Sequence, residues 1–236
     1  DGKSPYFIED SSLFSEWVES LDDTVLKVKV GRWDVPGCPV AILVDFNPFF
    51  VSRDEIFTHL WEDYSVDSLH AYGDYDEARM FSYAAARVVE SFYGFYLSPA
   101  QKVVYHANDW MTGLGAFYIN KVLPEVATVF TTHATSIGRS ICGNNKPLYD
   151  YLETYDGDQM ACELNMQSKH SIEKRTAENV DCFTTVSDIT AAECKALLGK
   201  ECDVVLPNGF EDDFVPSGPT FTSKRKKARK TLFRLA

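Results

Sequence analysis

Val103 to Arg139 reads VVYHANDWMTGLGAFYINKVLPEVATVFTTHATSIGR, and the fold turns on this stretch. Two short apolar runs, Val103-Val104-Tyr105 and Ala127-Thr128-Val129-Phe130, each lead to a histidine, His106 and His133. β-Branched and aromatic residues in runs this short predict buried strands. Between them, Trp110 to Leu123 carries apolar residues at helical spacing and stops at Pro124. Strand, helix and strand in that order imply parallel strands joined by a right-handed crossover. In such a sheet, ligands sit outside the carboxyl ends of the strands. Both histidines fall there, and so does the turn Ser136-Ile137-Gly138-Arg139.

The flanking segments extend the alternation. Val25 to Val30 alternates apolar residues with lysine, which predicts a strand near a sheet edge. Gly31 to Gly37 reads as a turn. Pro39 to Phe46 is a nearly continuous apolar run, which predicts a central parallel strand. Asp54 to Tyr64 predicts a short helix. Asp74 to Tyr96 predicts a long one, with Met80, Ala84, Val88 and Phe92 on one stripe. Downstream, Met160 to Val180 reads as a helix carrying the charged run Lys169, His170, Glu173, Lys174 and Arg175. Asp181 to Val186 predicts a strand. Ser187 opens a helix in which Thr190-x-x-Glu193 offers a capping box. Asp203 to Leu206 predicts a last short strand before Pro207-Asn208-Gly209-Phe210. Strands alternating with helices make an α/β sheet covered on both faces. Residues 211–223 read as a linker, followed by a basic helix from Ser223 to Ala236.

With 236 residues, 45% hydrophobic and 14% aromatic, the chain can bury a sizeable core. A net charge of −12 argues against a nucleic-acid binder. Lys224, Arg225, Lys226, Lys227, Arg229, Lys230 and Arg234 supply seven of the 23 basic residues, and they read as a solvated helix on an otherwise acidic chain. No secretory signal is recognisable, and no apolar run is long enough to cross a bilayer, so no membrane partner is expected. The six cysteines form no C-x-x-C pair and read as reduced thiols of a cytoplasmic protein.

His106-Ala107-Asn108-Asp109-Trp110 is a strand end feeding a helix. The ring of His106 both donates and accepts hydrogen bonds, and Asp109 is placed to cap the helix starting at Trp110. A structural cap beside a packed tryptophan is the competing reading. The five histidines are scattered without metal-ligand spacing, so no metal is expected. Gly113-Leu114-Gly115 lies inside a helix rather than in a strand-to-helix turn, so it reads as close helix–sheet packing and not as a dinucleotide fingerprint.

These residues carry a family resemblance. FTTHATSIGR closely resembles the FTTHAT-x-x-GR motif of the glycogen synthases of eukaryotic type. Gly31-Arg32-Trp33, Phe183-Thr184-Thr185-Val186-Ser187-x-Ile189-Thr190-Ala191-x-Glu193 and Pro207-Asn208-Gly209 are similar to that family in order. His106-x-x-Asp109-Trp110 resembles instead the HAHDW of bacterial glycogen and starch synthases, where the eukaryotic type has a shorter His-Glu-Trp.

The resemblance implies a Rossmann-like doubly wound parallel sheet, the N-terminal half of a two-domain GT-B glycosyltransferase. It implies domain limits of 1–210 for that half and 211–236 for a linker and basic helix leading to a C-terminal domain that these residues do not contain. The implied reaction is retaining transfer of glucose from UDP-glucose or ADP-glucose to the 4-hydroxyl of an α-1,4-glucan, with no cofactor. The implied partners are glycogen, the nucleotide sugar, the C-terminal domain and a second copy of the chain. His133 would meet the donor glucose as the catalytic and donor-binding residue. Arg139, Asn208 and Gly209 would join it at the donor, and His106, Asp109, Trp110 and Thr135 would line the cleft. A non-enzymatic carbohydrate-binding or scaffold module of the same fold is the alternative, and another GT-B transferase such as a sucrose synthase relative is a third. Residues 1–236 alone are expected to be inactive, because the diphosphate-binding half lies outside them.

Overall fold

A computed structural model describes residues 4–22, 24–209 and 218–235. The first compact unit ends at Leu206, and Pro207–Ala236 forms a second. Asn208 and Gly209 therefore fall in the second unit, together with the basic helix Phe221–Leu235. Residues 211–217 of the expected linker lie outside the described residues.

The first unit holds two sheets. Strands β1 (Phe7–Glu9), β2 (Val28–Trp33) and β3 (Val40–Val44) form an antiparallel sheet in that order. Strands β4 (Val104–Asn108), β5 (Ala127–Thr132), β6 (Cys182–Thr185) and β7 (Val204–Val205) form a parallel sheet, also in chain order. Helices α1 (Ser15–Ser20), α2 (Arg53–Tyr64) and α3 (Tyr75–Tyr96) precede β4. Helix α4 (Asp109–Val122) links β4 to β5. Helices α5 (Ser136–Gly143), α6 (Gly157–Glu163) and α7 (Gln167–Asn179) link β5 to β6. Helix α8 (Asp188–Glu193) runs into a π-turn, Cys194–Leu198, before β7. The strand–helix–strand reading of Val103 to Arg139 is thus realised as β4, α4 and β5, in an α/β fold with a four-stranded parallel sheet.

The stripe on α3 explains how this layer is held. Met80, Ala84 and Val88 are buried with Trp17, Leu114, Phe117 and Ile172 in one core. Gly113 and Gly115 bring α4 close to its neighbours: a Cβ on Gly113 would meet the Thr176 hydroxyl of α7, and one on Gly115 would meet the Tyr105 hydroxyl of β4 and the Ser82 carbonyl of α3. The close-packing reading of this pair is therefore seen on both sides of the helix. A second core lies against the parallel sheet, where Phe130 and Phe183 stack with centroids 5.9 Å apart.

Three local readings need correction. Pro39 to Phe46 is not a central parallel strand, because β3 pairs antiparallel with β2 at the edge of the smaller sheet. The connection from Trp33 to Val40 is too short for a crossover, which needs a dozen or more residues. It is a hairpin, turned by Gly37 at φ 85° and Cys38 at φ 40°. Gly31 and Arg32 accordingly lie within β2, the central strand of that sheet, and a Cβ on Gly31 would meet the Ile8 carbonyl of β1. The segment Met160 to Val180 is two helices rather than one. Asn165, at φ 55°, breaks it between α6 and α7.

Candidate functional site

The carboxyl ends of β4 and β5 bring both histidines to one edge of the parallel sheet. His106 stands inside β4, not beyond it, in register with Val129. Its Nε2 lies 2.7 Å from Thr131 Oγ1 on β5, and Thr131 Oγ1 lies 2.6 Å from Thr184 Oγ1 on β6. Thr184 in turn donates to the Phe130 carbonyl at 3.4 Å. His133 follows β5 directly, and its Nε2 lies 3.2 Å from Asn108 Oδ1 at the end of β4. Each histidine is thus braced by the neighbouring strand, and both rings remain on the rim.

The backbone that carries His133 is held by three carboxylates from three helices. Asp109 Oδ1 accepts from the His133 N–H at 3.0 Å. Glu173 of α7 accepts from Thr132 Oγ1 at 3.3 Å and from the Ser136 N–H at 2.7 Å. Glu193, at the end of α8, accepts from Thr135 Oγ1 at 2.9 Å and from the Tyr149 hydroxyl at 2.7 Å. Thr135 also caps α5, its hydroxyl accepting from the Gly138 N–H at 3.1 Å. A Cβ on Gly138 would meet both the Thr135 hydroxyl and the Glu193 carboxylate, which explains glycine there. Hydrogen bonds to charged groups contribute about 1.5–3 kcal/mol each, so four residues of one loop are tied far more firmly than an ordinary turn.

The expected cap on α4 is absent. Asp109 adopts φ 56°, a left-handed conformation rare for a residue with a side chain. Its carboxylate turns away from its own helix to the His133 amide, and the Thr112 hydroxyl bonds to Asn108 instead. The capping box at Thr190 is likewise not formed. Ser187 caps α8 through the Thr190 N–H at 3.1 Å, which frees Glu193 to reach Thr135.

Glu173 is fully buried, and removal from water pushes its carboxyl up to about 7. The Asp109 charge adds to the rise, while the Ser136 amide opposes it. The Tyr149 hydroxyl is pushed up to about 12, chiefly by its bond to Glu193.

Trp110 is half-buried and closely packed. Its ring stacks on Tyr75 at 6.2 Å, with Lys169 Nζ 4.6 Å from its centroid and the Arg79 guanidinium 5.2 Å away. Arg79 is fully buried, donates to the Trp110 carbonyl, and leaves Nε and Nη1 without partners among the described residues. Burial lowers its guanidinium to about 10. Arg139 is exposed one turn into α5, and no ion pair anchors it among the described residues. An open cavity of about 650 Å³ lies elsewhere, lined by Phe57, Trp61 and Tyr72 among others, and contains neither histidine.

The sequence reading named His106, Asp109, His133 and Thr135, which the fold gathers at one edge. It missed Asn108, Glu173 and Glu193. Glu173 was hidden in the charged run of Met160 to Val180, and nothing in helical spacing marks one carboxylate of such a run as buried.

The first and second units each carry part of the resemblance noted above, and wider comparison bears on it. A family model described as Glycogen synthase matches residues 8–215. The chain is similar to the glycogen [starch] synthase of Neurospora crassa, 33% identical over 193 residues, which cover 82% of this chain and 27% of that protein. It is 31% identical over 180 residues to that of Caenorhabditis elegans, covering 76% of this chain and 27% of the relative. It is 30% identical over 212 residues to isoform 1 of Saccharomyces cerevisiae, covering 86% of this chain and 29% of the relative. The chain therefore spans less than a third of the length of these relatives. Matched over nearly its whole length and in the segments that build the carboxylate-held histidine loop, the chain belongs to the glycogen synthase family.

Proposed function

We propose that this chain forms the N-terminal, acceptor-side portion of a glycogen synthase. The reaction is retaining transfer of glucose from a nucleotide diphosphate glucose, UDP-glucose in preference to ADP-glucose, to the 4-hydroxyl of an α-1,4-glucan. The observation that carries the reading is the His133 loop, whose backbone is tied down while its ring stays on the rim. With Asn108 Oδ1 accepting from Nε2–H, Nδ1 is the ring nitrogen left to meet a sugar hydroxyl. Placing a polar group at the reacting sugar before the reaction begins is how such sites lower a barrier, since nothing need reorganise as charge develops. Arg139 serves the donor, and Thr135 shapes the loop behind it. The leaving diphosphate needs cationic groups, which the partner domain of the same protein supplies. The transfer uses no metal or cofactor, and the protein works in the cytoplasm on glycogen, as a homo-oligomer. Among the described residues no helix is long and apolar enough to cross a membrane.

The test uses a full-length protein carrying this chain. His133→Ala is expected to cut transfer from radiolabelled UDP-glucose to glycogen by roughly 10²–10³-fold, the usual loss for one transition-state contact. Its circular dichroism should match the parent. Near-normal transfer in a folded variant would remove His133 from the site. Residues 1–236 alone should give no measurable transfer with either donor.

A further inference from the structure

We infer that Glu173 is a positioning residue for His133, acting through the two hydrogen bonds by which its carboxylate spans the His133 loop from Thr132 to Ser136. The proposal rests on the reading of His133 given above, but its geometry stands apart from any ligand. One carboxylate oxygen takes the Thr132 hydroxyl at 3.3 Å, on the residue before His133. The other takes the Ser136 N–H at 2.7 Å, the first residue of α5. The side chain thereby sets the span between the end of β5 and the start of α5, and His133 lies inside that span. Glu173 arrives from α7, whose neighbouring Ile172 belongs to the core shared with α3 and α4, so the strut is anchored in that core. Asp109 and Glu193 fix the residues between, at the His133 N–H and the Thr135 hydroxyl. Neither of these can replace Glu173, because neither bonds to both ends of the loop.

The two bonds, not the charge, do this. A glutamine has the same shape. Its carbonyl can accept from the Ser136 N–H, and its amide can donate to Thr132 Oγ1, which a hydroxyl permits by turning its own proton away. Leucine fills the space and makes neither bond. Thr132→Val removes one bond and keeps the shape of the strand.

The experiment compares the 236-residue chain with Glu173→Gln, Glu173→Leu and Thr132→Val by amide hydrogen exchange at residues 132–136 and by the imidazole resonances of His133. Glu173→Leu should exchange at least about tenfold faster across the loop, the opening expected when bonds to a carboxylate are lost, and should shift the His133 resonances. Residues 127–131 of β5 and the residues of β6 should keep their protection. Thr132→Val should loosen the amino-terminal side of the loop alone. Glu173→Gln should stay within about twofold of the parent. If Glu173→Leu folds with unchanged exchange and unchanged His133 resonances, the strut does not exist. If Glu173→Gln is as loose as leucine, the charge and not the bonds holds the loop, and the proposal is overturned. Should leucine fail to fold, the valine and glutamine variants decide alone. None of these readouts needs nucleotide sugar or glucan, so near-normal transfer by the full-length His133→Ala protein would overturn the functional reading and leave this one standing.

Discussion

Replacing Glu173 by glutamine should change the pH dependence of stability in a predictable direction. The carboxyl is fully buried, and burial raises it from 4.5 to about 7. Between those values the folded chain holds a proton that the unfolded chain has released. Stability from this group is therefore fully present below about pH 4.5 and is lost as pH rises through about 7. A rise of this size corresponds to a loss on the order of 3 kcal/mol across that window, at 1.36 kcal/mol per unit. Asp109 at the start of α4 and Cys194 in the π-turn face the same carboxyl, and both are retained in the variant. Glutamine cannot ionise, so titrating groups that do not face Glu173 cancel when the two proteins are compared. Urea unfolding at pH 4 and at pH 8 should show the variant gaining about 3 kcal/mol on the parent between the two conditions. A difference that stays constant with pH would refute the reasoning, since it would mean that Glu173 titrates alike in the folded and unfolded chain.

Other expectations concern packing. Gly115→Ala should cost about 1–3 kcal/mol in urea unfolding, because the added methyl meets the Tyr105 hydroxyl and the Ser82 carbonyl and must force α4 away from both. A neutral result would show that this helix face has room to spare. Arg79→Met should be neutral or should stabilise by about 1 kcal/mol, since it removes a buried cation with two unpartnered nitrogens and no bonded carboxylate. A loss above about 3 kcal/mol would show instead that the cation, between Tyr75 and Trp110, holds that corner together.

What could be read from the sequence was what the chain expresses locally. β4, α4 and β5 were legible because short runs of β-branched and aromatic residues mark both strands, and because Pro124 ends the helix between them. β3 was misread for the same reason: an apolar run reports burial and says nothing of partner or direction. Its neighbour was set by the short hairpin from Trp33, which the run itself does not record. Asn165 looked like an ordinary helix residue, and only its left-handed backbone separates α6 from α7. The site divided along similar lines. His133 and Thr135 stood in a recognisable motif, whereas the bonds of Glu173 to Thr132 and of Glu193 to Thr135 cross 41 and 58 residues of sequence. Such contacts leave no periodic trace, because a buried carboxylate and a solvated one occupy the same letter in a charged helix.

The hydroxyls that link β4, β5 and β6 have a direction. Thr184 gives its proton to the Phe130 carbonyl, so it must receive one from Thr131, and Thr131 must then receive one from His106. Run the other way, the same three groups would leave the Phe130 carbonyl without that contact. The interior of the sheet thus reaches out to an exposed ring: the row that ends on the Phe130 carbonyl calls for His106 to donate from Nε2. Loss of the Thr184 hydroxyl, two strands away, would take away the acceptor that gives the row its direction. The outermost atom of this edge is governed from the centre of the sheet.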